Sequence, residues 1–102
     1  MPLLRRTVVL RALRDERGYT YRAVSHDRKG LRIIGHDLGG QYDEYEFERR
    51  LSRSETRALA RLLGVPPRRL LPAIRERFGD TVGLEAFLRE HGLEGTFSNR
   101  IG

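Results

Sequence analysis

The sequence is notable first for the residue types that it lacks. It contains no cysteine, which excludes a disulfide framework, a thiolate nucleophile and a cysteine-ligated metal. Such a composition suits a reducing compartment, and we expect a cytoplasmic protein. Residues 1–10 contain no long apolar run, so we also expect neither a signal peptide nor a membrane span.

Lysine is scarce as well, although the chain is strongly basic. Nineteen of its twenty basic residues are arginine and only Lys29 is lysine, with a net charge of +6. This balance suits acidic partners, such as nucleic acid or an acidic protein surface. A GC-rich coding bias would also explain the arginine content, and both interpretations stay open.

The length of 102 residues predicts a single domain, residues 1–102, that buries enough surface to fold alone. No internal repeat, linker or low-complexity tract divides it. β-Branched and aromatic residues predict strands over 7–14, 19–26, 31–37 and from Tyr42 onwards. Short polar turns join the first three, and Leu38-Gly39-Gly40-Gln41 leads to the fourth. Short turns favour antiparallel neighbours, so we predict a four-stranded meander.

The two short turns also predict a register. Leu10 then lies opposite Ala23, Ala23 opposite Ile34, and Tyr21 opposite His36. One face would carry Val8, Leu10, Ala12, Tyr19, Tyr21, Ala23, Ile34 and Leu38, and the other Val9, Leu13, Val24, Leu31 and Ile33. We expect helices on one face, whereas the other could be partly covered by the C-terminus or by a partner.

The fourth strand alternates acidic and aromatic residues. One face would carry Asp43, Tyr45, Phe47, Arg49 and Leu51, and its aromatic residues should pack inward. The other would carry Glu44, Glu46, Glu48 and Arg50. Adjacent like charges are costly to bury, so these glutamates should be solvated or form an acidic docking surface.

Three helices should follow the strands. Ser52 and Glu55 have the spacing of a capping box, and Gly64 suits a helix end, with Ala58, Leu59, Leu62 and Leu63 as the apolar face. A second helix should begin near Leu71 or Pro72 and end at Phe78; a third should cover 82–91, capped by Asp80 or Thr81. Residues 95–101 could add a short strand to a sheet edge. The predicted class is therefore α+β: a four-stranded antiparallel meander followed by three short helices, with a possible C-terminal strand.

Helical patterning also predicts a core and a charged surface. The predicted core residues are Leu59, Leu62, Leu63, Ile74, Phe78, Phe87 and Leu88. Arg53, Arg57 and Arg61 recur at i, i+4 and i+8 and should form one exposed row. Arg68 and Arg69 follow in the next segment. These five arginines, with Glu44, Glu46 and Glu48, are the predicted binding residues.

Residues 57–74, RALARLLGVPPRRLLPAI, resemble the middle of a helix-turn-helix. Ala60, Gly64, Val65 and Leu70 match the small, glycine, apolar and buried positions of that motif. The resemblance implies that 67–74 is a recognition helix with Arg68 and Arg69 near DNA. The alternative is an ordinary helical pair packed on a sheet, which is favoured because Pro72 falls inside the implied recognition helix.

The residues that could carry catalysis do not converge in the predicted register. His26-Asp27 and His36-Asp37 would lie at opposite ends of a hairpin and on opposite faces, so neither a metal site nor an acid–base pair is expected. Gly39-Gly40 lacks the lysine and the spacing of a phosphate loop. We therefore predict no catalytic residue, no metal and no cofactor.

Two hypotheses of function follow from these features. The first is a small non-enzymatic protein-binding module with a charged surface. Its plan is similar to that of bacterial immunity and antitoxin proteins, which are compact folds that block a partner. The second is a nucleic-acid-binding regulator that uses the arginine-rich helical pair. Neither predicts a membrane partner, and both are compatible with a homo-oligomer.

Overall fold

A computed structural model describes residues 5–39 and 44–102 and has an α+β fold. Its strands are β1 (Arg6–Asp15), β2 (Gly18–Asp27), β3 (Gly30–Leu38), β4 (Glu44–Arg50) and β5 (Thr96–Ile101). Its helices are α1 (Arg53–Leu63), α2 (Leu70–Phe78) and α3 (Thr81–Glu90), and a short 3₁₀ turn, Pro67–Arg69, precedes α2. The predicted fold class is confirmed in outline.

The sheet is antiparallel with the strand order β1-β2-β3-β4-β5. The meander is therefore confirmed, and the C-terminal strand pairs with β4 at the sheet edge. The predicted start of the fourth strand, at Tyr42 and Asp43, and part of the predicted connection, Gly40-Gln41, lie outside the described residues.

Aspartates shape the two short turns. The side chain of Asp15 accepts a hydrogen bond from the Arg17 amide at 2.8 Å, and that of Asp27 accepts one from the Lys29 amide at 2.8 Å. Such bonds are typical of Asx turns and fix where each hairpin reverses. The predicted β2–β3 register is confirmed, because Ala23 faces Ile34 and Tyr21 faces His36.

The predicted β1–β2 register is wrong in its first half because β1 contains a bulge. Val9 pairs with Ala23 and Arg11 with Arg22, which leaves Leu10 as the extra residue. Val8 then pairs with Val24 and shares the helix-covered face with Leu10. Val8, Leu10 and Val9 thus lie on the faces opposite to those predicted.

The core lies between the sheet and the three helices, where α1 packs on β3, α2 on β1 and β2, and α3 on β2. Of the predicted core, Leu59, Ile74 and Leu88 are buried, whereas Leu63, Phe78 and Phe87 are half-buried against it. Leu62 was predicted wrongly, since it is 45% exposed. Other buried hydrophobic residues in the same cluster are Val24, Leu31, Ile33, Leu51, Ala60, Leu70, Leu71 and Leu84.

The helix boundaries differ slightly from those predicted. α2 begins at Leu70, so Pro72 is its third residue. The first-turn amides of a helix have no intrahelical acceptor, and a proline there costs little. α3 begins one residue earlier than predicted, at Thr81, whose amide donates to the Asp80 carboxylate at 2.6 Å.

Gly35 allows the aromatic face of β4 to pack inward as predicted. A β-carbon at Gly35 would lie 2.0 Å from the Phe47 ring, its cross-strand neighbour. The Arg22 guanidinium stacks over the same ring at 5.0 Å and forms two hydrogen bonds to Asp37 at 2.8 and 3.1 Å. Phe47 is thus held from both sides on the helix-covered face.

Within the described ranges 5–39 and 44–102, none of the helices has both the length and the apolar character needed to span a membrane.

Candidate binding surfaces

Both ends of α1 are fixed by local signals in the sequence. The Ser52 hydroxyl accepts a hydrogen bond from the Glu55 amide at 3.1 Å, and the Glu55 carboxylate accepts one from the Ser52 amide at 2.9 Å. This is the predicted capping box. Gly64 ends the helix with φ of 72°, a left-handed conformation that glycine adopts without strain.

Thr56 fixes which side of α1 meets the sheet. Its hydroxyl accepts a hydrogen bond from the Leu31 amide at 3.0 Å and donates one to the Ser52 carbonyl at 2.7 Å. Leu59 and Ala60 are buried beside it. The inner side of α1 is therefore centred on these residues, and the side that carries Leu62 is rotated outward.

The outer side of α1 carries the arginine row predicted from the sequence. Arg53, Arg57 and Arg61 are all exposed, and none forms an ion pair within the described part of the chain. A second i, i+4, i+8 row of Ser54, Ala58 and Leu62 runs beside it. We call these six residues the α1 surface. It combines three unpaired guanidinium groups with a strip of small and apolar side chains.

Arg68 and Arg69 lie in the 3₁₀ turn that follows α1, and both are exposed. Arg68 also lines a cleft of about 210 Å³ between β1 and α2, together with Arg6, Thr7, Val8, His26, Leu71 and Pro72. We call this the β1–α2 cleft. Arg69 extends the exposed basic surface and is not part of the cleft lining.

The glutamates of β4 are matched by basic groups of the sheet itself. The Glu48 carboxylate lies 2.8 Å from Arg50 and 3.4 Å from Arg32, and that of Glu46 lies 3.0 Å from Arg100. Glu44 lies 3.3 Å from the His36 ring. Such exposed pairs contribute about 0–1 kcal/mol each, but they occupy the carboxylates that were predicted to dock a partner. Asp43, predicted beside them, lies outside the described residues.

The helix-free face of the sheet forms an open groove of about 440 Å³. Among its lining residues are Tyr21, Ile34, His36, Glu46 and Arg100. His36, Glu44 and Glu46 place possible metal-ligand atoms within 4.8 Å of one another. The Arg100 guanidinium lies 3.0 Å from Glu46 and 4.0 Å from Glu44, so this arginine is the counter-ion of both carboxylates.

The two His-Asp pairs remain apart, as the predicted register required. His26 pairs with Leu31 and His36 with Tyr21, at opposite ends of the β2–β3 hairpin. Burial lowers the pKa of His26; Arg6 lowers it further, whereas Asp27 opposes the shift. The pKa of the Asp27 carboxyl is also lowered: its burial acts in the opposite direction, but the Lys29 amide and nearby arginines outweigh it.

Sequence reasoning missed two groupings of side chains. The His36, Glu44 and Glu46 cluster depends on the β3–β4 register, which the sequence pattern did not predict. The β1–α2 cleft depends on the pairing of Arg6 with His26, and the bulge at Leu10 shifts that pairing by one residue. In both cases the only signal was the presence of histidine within a strand.

Comparisons of this chain with protein-family models, with curated proteins and with solved structures gave no match.

Proposed function

We propose that this protein is a non-enzymatic binding module that recognises an acidic protein partner through the α1 surface. The observation that carries the proposal is the contrast on one helix side between three exposed, unpaired arginines and the exposed Leu62. Arginine is enriched at protein interfaces, whose buried centre is apolar. A charged row beside an apolar strip offers both components, whereas phosphate backbones make no use of the strip.

The arginine row is also available at low cost. A guanidinium that already held a carboxylate would have to give up that partner before it could bind another. Arg53, Arg57 and Arg61 have no such partner in the described part of the chain. By the same reasoning we omit Glu44, Glu46 and Glu48 from the proposed surface, since their carboxylates are engaged. A compact fold that blocks a partner, as immunity and antitoxin proteins do, suits this arrangement.

Nucleic acid is the second candidate partner. The observation in its favour is that the unpaired arginines continue past α1 to Arg68 and Arg69. Arginine binds phosphate through a planar fork of donors. This candidate rests on charge alone and predicts no role for Leu62.

The test compares three baits in the source cell. They are the wild-type chain, the α1 variant R53Q/R57Q/R61Q, and the control R17Q/R28Q/K29Q. The control also loses three positive charges, but from exposed turn residues. A partner that is lost only from the α1 variant is then purified, and its association is measured at several salt concentrations. We expect the α1 variant to associate at least about tenfold more slowly, and the control no more than about twofold.

Leu62→Ser separates the two candidates. It should accelerate dissociation of a protein partner, because it removes apolar contact without changing charge. Duplex DNA titrated at low and moderate salt provides the other arm. The partner would be nucleic acid, not protein, if DNA binding weakens steeply with salt, depends on the α1 row and is unchanged by Leu62→Ser. If the α1 variant and the control lose the partner equally, binding depends on the net positive charge of the protein and not on the α1 row.

A further inference from the structure

The β1–α2 cleft brings together three basic side chains from distant parts of the sequence. Arg6 and His26 are direct cross-strand partners in β1 and β2 and therefore share the helix-covered face. Arg68 reaches the cleft from the 3₁₀ turn, and Leu71 and Pro72 of α2 form an apolar wall. An apolar wall lowers the local dielectric and strengthens any ion pair formed beside it.

The two guanidinium groups of the cleft have no carboxylate partner in the described part of the chain. Arg6 and Arg68 form no ion pair within residues 5–39 and 44–102. Asp27, which is next to His26, should point to the opposite side of the strand, and its carboxylate lies 3.9 Å from Arg5. The cleft therefore concentrates positive charge without an internal counter-ion.

His26 is the buried member of this group. It is only 7% exposed, and its ring has no hydrogen-bond partner in the described part of the chain. No described polar side-chain atom is both sealed from solvent and unpaired. Within the described residues the ring nitrogens of His26 are therefore unpaired but not sealed from solvent, and His26 lines the cleft.

We propose that the β1–α2 cleft binds one tetrahedral oxyanion of the phosphate class. Two guanidinium groups supply charge and donors, and the His26 ring adds a buried donor. The volume of about 210 Å³ equals about seven water molecules at roughly 30 Å³ each. It accommodates a phosphate group with a few waters. The inference does not depend on the proposed α1 surface, because the two share no residue.

The site should bind anions more tightly at lower pH. A bound anion favours protonated His26. In the free protein, burial lowers the pKa of His26 and Arg6 lowers it further, whereas Asp27 partly offsets them. Arg68 is the other positively charged residue that lines the cleft. By linkage, binding then takes up a proton and strengthens as pH falls through the range in which His26 titrates. Sulfate is the suitable probe for this measurement, since its own charge is constant over that range.

The test follows the ring protons of all three histidines by NMR during titration with inorganic phosphate, and with sulfate, at constant ionic strength. His36 and His91 serve as internal references, because neither lines the cleft. We expect saturable shifts confined to His26 and a raised pKa of that residue in the bound state. Arg6→Gln and Arg68→Gln should each weaken binding at least about tenfold.

Matched controls keep the outcome decisive. Arg75→Gln removes an exposed, unpaired charge of α2 outside the cleft and should change the affinity less than about twofold. The α1 variant R53Q/R57Q/R61Q should bind sulfate as the wild type does, even if its protein partner is lost. His26→Gln should remove the pH dependence of sulfate affinity.

A comparison of inorganic phosphate with phenyl phosphate distinguishes a free anion from the phosphoryl group of a larger molecule. Tighter binding of the ester would assign the site to the latter, and tighter binding of inorganic phosphate to the former. Three outcomes would overturn the inference. They are shifts that do not saturate, shifts of equal size at all three histidines, and an affinity that Arg75→Gln lowers as much as Arg68→Gln does.

Discussion

The arginines of strands β2–β5 and those of segment 53–75 differ in what they contact. In the strands, Arg22, Arg32, Arg49, Arg50 and Arg100 each lie within 3.4 Å of a carboxylate oxygen. In segment 53–75, Arg53, Arg57, Arg61, Arg68, Arg69 and Arg75 form no ion pair within the described residues. One residue type is thus used in two ways in the same small protein.

The difference has a simple cause in the sequence. The acidic residues of β3 and β4 lie opposite or diagonal to basic residues of neighbouring strands, where pairing is direct. Segment 53–75 contains one acidic residue, Glu55, and its carboxylate serves the helix cap. The glutamates of β4 do not offset the α1 row, because their carboxylates pair with residues of the sheet. A coding bias explains the supply of arginine but not this partition.

The largest predicted effect tests the orientation of α1, on which the comparison depends. Leu59 is fully buried and Leu62 is 45% exposed. Leu59→Ala should lower the free energy of unfolding by about 2–5 kcal/mol, because it leaves a cavity between α1 and the sheet. Leu62→Ala should cost less than about 1 kcal/mol. Urea melts of the two variants decide the point, and equal losses would show that both sides of α1 are packed.

A smaller effect is expected from a paired arginine of the sheet. Arg49 donates to Glu85 of α3 at 3.1 Å and to the Glu94 carbonyl at 2.8 Å, and its guanidinium stacks over Phe97 at 5.0 Å. Its side chain and that of Glu85 are only 15% and 20% exposed. Arg49→Gln should therefore destabilise the fold by about 1.5–3 kcal/mol.

The matched control for this variant is Arg57→Gln on α1, because Arg57 is exposed and unpaired. Chemical denaturation should show it to be close to wild type. If the two variants were equally stable, the contacts of Arg49 would contribute no more to the free energy of unfolding than an exposed arginine does. The paired and unpaired arginines would then not differ in their contribution to stability.

The sequence predicted these elements where the determining signal is local. The Ser52 capping box and Gly64 act within four residues, and the structure has both as predicted. The two predicted short polar turns are also present, each with an aspartate side chain that accepts a backbone hydrogen bond two residues on. The exposure of the arginine row followed from helical spacing. These signals do not depend on the rest of the fold.

Errors arose where two distant segments decide the outcome together. The bulge at Leu10 and the rotation of α1 that exposes Leu62 depend on how helices and sheet pack, and the latter is set by the hydrogen bond between Thr56 and Leu31. A hydroxyl at an inner helical position does not count as apolar in a periodicity pattern. The β1–α2 cleft required both kinds of information and so was not predicted.

Loss of the three arginine charges of the α1 surface should change the stability of the fold very little. The free energy of unfolding of R53Q/R57Q/R61Q should differ from that of the wild type by no more than about 0.5 kcal/mol per site, because glutamine is a good helix former and no ion pair is lost. R17Q/R28Q/K29Q controls for the change in net charge. A large loss in the α1 variant alone would make the row structural and remove it from the proposed surface.

The smallest effect is expected from zinc, and it tests how completely the sheet satisfies its own charges. His36, Glu44 and Glu46 could supply three ligands, but Arg100 lies 3.0 Å from Glu46, and an incoming ion would have to displace it. Zinc at about 100 µM should therefore shift the melting temperature by less than about 1 °C. Arg100→Gln removes an exposed pair worth about 0–1 kcal/mol, so any zinc-dependent rise should be only slightly larger in that variant and should be abolished by His36→Ala. A clear rise in the wild-type protein, lost in His36→Ala, would instead establish a metal site and show that the pairing with Arg100 is too weak to exclude a cation.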